Sequence, residues 1–262
     1  RILILNYPNN PTGLTYSSSA LQALSEVARE HKVTVISDEI YGEVNHLGEH
    51  HSIASFYPEG TVISSGLSKW CGAGGWRLGY MVFPSNLRHL VDALGSAASE
   101  TFTSVSAPIQ WASIRAFKGG PEISRYLSDS RRLLASLGDY IYRQLTSAGV
   151  SIERPEGGFY MFPNMKHIKV GLASKGITTS TQMCEALLNE TGVATLPGSC
   201  FGRDDSELSL RLSYVNFNGN QALLALAEHP TDSPIDDDDL RRLCGRSVEA
   251  ADRMARWISD AR

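Results

Sequence analysis

Val33-Thr34-Val35-Ile36-Ser37-Asp38-Glu39 is a run of β-branched and apolar residues that breaks off into two carboxylates. Branching at Cβ suits a pleated strand, so the run predicts a short buried strand with a polar end. Upstream, Ser17, Ser18 and Ser19 offer a helix N-cap, and Leu21, Leu24, Val27 and Ala28 form one apolar helix face. Arg1-Ile2-Leu3-Ile4-Leu5 reads as another buried strand, closed by the turn Asn9-Asn10-Pro11-Thr12-Gly13. With no initiator methionine or capping element before it, this strand reads as one from the middle of a domain. Downstream, Thr61-Val62-Ile63 and Gly79-Tyr80-Met81-Val82-Phe83 are further strands, and Leu87, Leu90, Val91 and Leu94 mark a helix. Strands alternating with helices predict an α/β unit with a mainly parallel sheet.

The pattern changes at Pro121, where Ile123, Leu127, Leu134, Leu137, Ile141 and Leu145 predict one long helix stopped by Gly149. Beyond it, Val150-Ser151-Ile152, Phe159-Tyr160-Met161-Phe162 and Leu208-Ser209-Leu210-Arg211-Leu212 read as strands. A helix is expected near 180–190 and a terminal one from about Asp236. The reading is therefore a partial large domain over residues 1–118 and a smaller α+β domain over 119–262.

Bulk chemistry narrows the function. A net charge of −4, with 24 Lys and Arg scattered and no basic block beside aromatic residues, argues against nucleic acid as a partner. No apolar run approaches the roughly 18 residues that cross a bilayer, and no signal pattern opens the chain, so a cytoplasmic protein without a membrane partner is expected. Cys71, Cys184, Cys200 and Cys244 stand far apart and read as reduced thiols. His46, His50 and His51, beside Gly48 and Glu49, read as a loop and not a metal site. The acidic run Asp236 to Asp239, after Pro234, reads as a complement to the positive end of the last helix.

In an open parallel sheet, ligands bind beyond the carboxyl ends of the strands. Asn10, Asp38 and the segment leading to Lys69 fall at such ends. Each alone has an ordinary reading as turn former, helix cap or surface charge. As an ordered set they mark one crevice.

Six segments in order carry a resemblance. They are Asn6-Tyr7-Pro8-Asn9-Asn10-Pro11-Thr12-Gly13, Ser37-Asp38-Glu39-Ile40-Tyr41, Ser65-Gly66-Leu67-Ser68-Lys69, Gly75-Trp76-Arg77-Leu78-Gly79-Tyr80, Pro197-Gly198-Ser199-Cys200-Phe201-Gly202 and Leu210-Arg211-Leu212-Ser213. Together they resemble the aspartate aminotransferase family (class I/II) of fold type I pyridoxal phosphate enzymes, over essentially the whole chain. The resemblance implies pyridoxal 5'-phosphate as cofactor, amino acids and 2-oxo acids as substrates, and a homodimer for the intact enzyme.

The resemblance also implies roles. Lys69 would bond the cofactor aldehyde as a Schiff base and then shuttle a proton. Asp38 would keep the ring nitrogen protonated, Asn10 and Tyr41 would donate to the ring hydroxyl oxygen, and Asn10 would also border the substrate. Arg77 would pair with the phosphate, aided by Ser68 or Ser65, although Gly66 stands where many relatives have serine or threonine. Arg211 would grip the substrate α-carboxylate. Substrate side-chain recognition stays open among Arg88, Arg115 and Lys118.

The family's phosphate cradle, stacking ring and neighbour-subunit tyrosine have no counterpart in these residues. An N-terminally truncated fragment with weak cofactor binding is therefore the expectation. Two alternatives share the motifs: a carbon-sulfur β-lyase on the same scaffold, and a non-catalytic module of this fold.

Overall fold

The computed structural model describes residues 1–230 and 233–261. By compactness it divides into two units, Arg1–Asn9 with Thr15–Ser128, and Asn10–Leu14 with Asp129–Arg262. The division falls inside the long helix predicted from Pro121.

In the first unit, β1 (Ile2–Asn6) leads to α1 (Ser18–Glu30), whose N-terminal Ala20 N–H donates to the hydroxyl of Ser17 at 3.2 Å. Then come β2 (Thr34–Asp38), β3 (Thr61–Gly66) and β4 (Gly79–Val82), followed by α2 (His89–Thr101) and α3 (Ala107–Phe117). The four strands lie in order β1-β2-β3-β4, the first three parallel and β4 antiparallel to β3. All four strands read from sequence are present; the hairpin sense of β4 was not legible.

Strand alternation sorts the side chains. Leu5, Tyr7 and Val35 pack with Leu21 and Ala28 of α1, plus Ile53 and Tyr57, as one buried core. The opposite face of β1 carries Ile2 and Ile4, 67% and 69% exposed. Strand β4 is exposed throughout and α2 buries none of its residues. These apolar side chains stand open to solvent.

In the second unit, α4 (Pro121–Ser147), which begins in the first unit, buries Leu133, Leu134, Leu137, Ile141 and Leu145 on one stripe. There follow β5 (Tyr160–Met161), α5 (Lys169–Ser174), α6 (Ser180–Thr191), β6 (Leu196–Pro197), β7 (Leu210–Ser213), α7 (Gly219–Ala227) and α8 (Asp237–Ser259). The small sheet is antiparallel with β7 in the middle, in order β5-β7-β6. The segment Val150 to Ile152 is a correction: only Ser151 reaches a partner, as an isolated bridge to Asn164. The acidic run does cap the last helix. Asp236 accepts from the Asp239 N–H at 2.9 Å and returns its own N–H to the Asp239 carboxylate, with Asp237 and Asp238 in the same first turn.

Candidate active site

Strand β2 ends at Asp38, on the sheet face that α1 leaves open. Asn6, its register partner on β1, donates to Oδ2 at 3.0 Å, and the Ile40 N–H approaches Oδ1 at 3.4 Å. Burial raises the Asp38 pKa; those two hydrogen bonds pull it down, the charge of Glu39 adds to the rise, and the net direction is up. Three residues on, Tyr41 is buried at 3% exposure.

Asp38 pairs with Ser64 in β3, and the chain then turns through Leu67, Ser68 and Lys69. The Lys69 ammonium stands 5.6 Å from the centre of the Tyr41 ring, within cation–π reach. The structure thus brings Lys69 and Tyr41 together just past the strand that ends at Asp38. Ser68 is half-buried beside Lys69. The Ser65 hydroxyl turns instead toward the Glu39 carbonyl, at 3.4 Å. At Gly66 a Cβ would lie 2.7 Å from the Leu78 carbonyl oxygen, so a side chain there would need the backbone to shift.

Arg77 sits in the same β3–β4 connection, where Gly66 pairs with Gly79. Its backbone is left-handed (φ 55°), its side chain is exposed, and Nη1 donates to the Gly74 carbonyl at 2.8 Å. Left-handed backbone at a non-glycine residue stores strain and concentrates at functional turns.

Asn10 and Arg211 meet in the second unit. Arg211 lies on β7 between β5 and β6, and its Nη1 donates to Asn10 Oδ1 at 3.0 Å. The guanidinium carbon is 4.6 Å from the Tyr160 ring centre and 5.1 Å from that of Phe201. Its Nε is buried without a hydrogen-bond partner, and no carboxylate pairs with Arg211 among the described residues. A guanidinium held by an amide and aromatic rings, with a donor to spare, suits an incoming carboxylate.

Sequence reasoning missed the groups behind Asp38. Glu39 accepts from Ser52 at 2.5 Å and Ser37 at 2.8 Å, and contacts His50 Nε2 at 2.9 Å. Burial alone would raise its pKa, yet these partners outweigh burial and the net direction is down. Burial likewise pushes the Tyr7 phenol up to about 12, and its oxygen accepts from the Ile53 N–H at 2.9 Å. Only the acidic pair Asp38-Glu39 hinted at this network. No group of three metal-binding side chains occurs among the described residues, and His50 is engaged with Glu39.

The family model for aminotransferase class I and II matches residues 1–225. The chain belongs to this family. It is 36% identical over 220 residues to the aspartate aminotransferase of Geobacillus stearothermophilus, covering 82% of this chain and 53% of that relative. It is 32% identical to an asparagine–oxo-acid transaminase of Streptococcus mutans, again over 82% of this chain and 53% of the relative. Among solved structures, the aspartate aminotransferase of Thermus thermophilus with maleate superposes with a TM-score of 0.74 at 30% identity, covering 98% of this chain and 56% of that one. The aromatic aminotransferase of Pyrococcus horikoshii gives a TM-score of 0.77 at 27% identity, covering 99% of this chain and 60% of that one. The chain spans about half the length of the curated relatives it matches. Among the described residues no helix is long and apolar enough to cross a membrane.

Proposed function

We propose that this chain carries the lysine side of a pyridoxal 5'-phosphate site and serves an aminotransferase that moves an amino group between an L-amino acid and a 2-oxo acid. The observation that carries this reading is the Lys69 ammonium over the Tyr41 ring, beside the strand that ends in the half-desolvated Asp38 carboxylate. An amine that can condense with the cofactor aldehyde, a carboxylate that accepts from the ring N–H and a phenol that donates to the ring oxygen are groups suited to the cofactor, so these residues fit it.

When bound, the cofactor would supply an electron sink for breaking the substrate Cα–H bond. Each side chain then has one task. Lys69 would tether the cofactor through its amine and, once released, hold and return the proton at Nζ. Asp38 would accept from the ring N–H, its carboxylate aimed by Asn6. Tyr41 and Asn10 would donate to the ring oxygen, Ser68 and Arg77 would bind the phosphate, and Arg211 would hold the substrate carboxylate.

The exposed apolar residues of β1, β4 and α2 support a homodimer, or further polypeptide, covering the first unit in a cytoplasmic enzyme. Lysine trapping tests the proposal. The chain is incubated with millimolar pyridoxal phosphate, reduced with borohydride and digested for mass spectrometry. Label concentrated on Lys69 over the other lysines, and lost in Lys69→Arg, is the expected result; label spread evenly would sink it. Turnover with paired amino and 2-oxo acids separates the transaminase from a lyase, which would release pyruvate from cystathionine unaided.

A further inference from the structure

The segment Pro197-Gly198-Ser199-Cys200-Phe201-Gly202 has no role in the chemistry above, although its turn is closely built. It leaves β6 directly after the strand residues that pair with β7, where Leu196 faces Arg211 and Pro197 faces Leu210. Gly198 through Phe201 form one short 3₁₀ turn, ended by Gly202 in the left-handed region (φ 76°). The Gly198 N–H donates to the Ser209 carbonyl at 2.8 Å, and a Cβ on residue 198 would fall 2.1 Å from the Ser209 hydroxyl oxygen. The turn is also tied to α6 through Ser199 and Ser180, whose hydroxyls are 3.2 Å apart. All this fixes the place of a single side chain, the Phe201 ring. Its centre is 5.1 Å from the Arg211 guanidinium and 5.7 Å from Phe162, whose ring meets it edge-on at 84°.

We infer that Phe201 is a positioning residue for Arg211, and that the turn exists to hold its ring against the guanidinium. The inference rests on the reading of Arg211 as the carboxylate-binding residue. A half-buried guanidinium without a carboxylate partner is poorly solvated, and its long side chain has rotamer freedom to lose when an anion arrives. An aromatic face meets both needs. It attracts the cation, and it fixes the guanidinium plane before the ligand binds. Asn10 occupies Nη1, so the orientation set by Phe201 and Tyr160 decides whether the unpartnered Nε is presented for a carboxylate.

Pyruvate, the smallest 2-oxo acid, is the probe, and its affinity for the full 262-residue chain is measured by ligand-observed NMR. Wild type, Phe201→Leu, Phe201→Met, Phe201→Tyr and Arg211→Lys are compared, with a thermal melt of each. Removing the ring should weaken pyruvate binding about 5- to 30-fold in both the Leu and Met variants, and Phe201→Tyr should restore it. A purely structural role would lower the melting temperature without that ring-dependent recovery. If Phe201→Leu does not fold, Phe201→Met carries the test. Weakened binding in Arg211→Lys with unchanged binding in the Phe201 variants overturns the inference alone. Unchanged binding in Arg211→Lys, or no binding in wild type, overturns the carboxylate reading and the inference with it.

Discussion

Replacing Gly13 with alanine isolates the reason a glycine ends the segment Asn10-Pro11-Thr12-Gly13. Gly13 has φ 75°, its carbonyl accepts the N–H groups of Glu156 at 2.8 Å and Gly157 at 3.0 Å, and a Cβ there would lie 2.5 Å from the Tyr160 carbonyl oxygen. Left-handed backbone costs an L residue about 1–2 kcal/mol. Forcing a methyl against fixed backbone adds about 1–3 kcal/mol, so Gly13→Ala should cost about 2–5 kcal/mol. Gly176, also in the second unit, is the control, with φ 77° and nothing within 4 Å of its Cβ position. Gly176→Ala should therefore lose only the backbone share, about 1–2 kcal/mol. Urea unfolding of wild type and both variants, followed by circular dichroism, gives the difference. The strained segment also carries Asn10, so Gly13→Ala should weaken pyruvate binding at Arg211, whereas Gly176→Ala should not. If Gly13→Ala costs no more than Gly176→Ala, the close approach of Gly13 to Tyr160 is not what selects glycine, and the reasoning fails.

Three other outcomes follow from the charges. Glu39 has a lowered folded pKa, so its contribution is present above the unfolded glutamate value and lost as pH falls through the folded one. Urea midpoints should thus drop more steeply on acidification for wild type than for Glu39→Gln. Asp38 has the opposite sign: its folded pKa is raised, so its contribution is present below the unfolded aspartate value and lost as pH rises through the folded one. Asp38→Asn should melt higher than wild type at neutral pH while losing Lys69 labelling by the cofactor; a lower melting temperature would show that the Asn6 bond outweighs desolvation. In the second unit, Tyr140 donates to Asp252 at 2.6 Å and accepts from Arg241 at 2.9 Å, with its pKa pushed up to about 12 chiefly by burial. Tyr140→Phe leaves both groups without that partner and should cost about 1–3 kcal/mol in chemical unfolding; an unchanged midpoint would refute it.

Legibility in the sequence followed how local the causes were. The β-branched runs at 33–36 and 61–63 and the caps at Ser17 and Asp236 act over a few residues, and each stands where it was read. Phe159 to Phe162 looked equally strand-like, yet only Tyr160 and Met161 join the ladder. The apolar positions read as a helix ran to Leu94, and neither the end of α2 nor the separate helix α3 was read, because residues 102–106 carry no glycine or proline to punctuate them. The candidates Lys69, Asp38, Arg77 and Arg211 were named from their motifs, and the structure sets Lys69 near Tyr41 and Arg211 against Asn10. Asn6, Glu39 and Phe201 lay inside the quoted motifs and His50 in a loop, but none was given a role there, since the fold sets their partners: Asp38 lies 32 positions from Asn6, Glu39 and His50 lie 11 apart, and Arg211 meets Phe201 across the β6–β7 connection.

What the sequence determined by itself is the alternation of elements and the polar ends of the strands. Periodicity and backbone chemistry are properties of short stretches, and they need no knowledge of what folds against them. The tertiary structure alone decided that β4 runs antiparallel, that residues 10–14 belong with the second unit, and that the Phe201 and Tyr160 rings flank Arg211. Those outcomes depend on which surfaces exclude water together, and burial is settled between residues far apart in the chain.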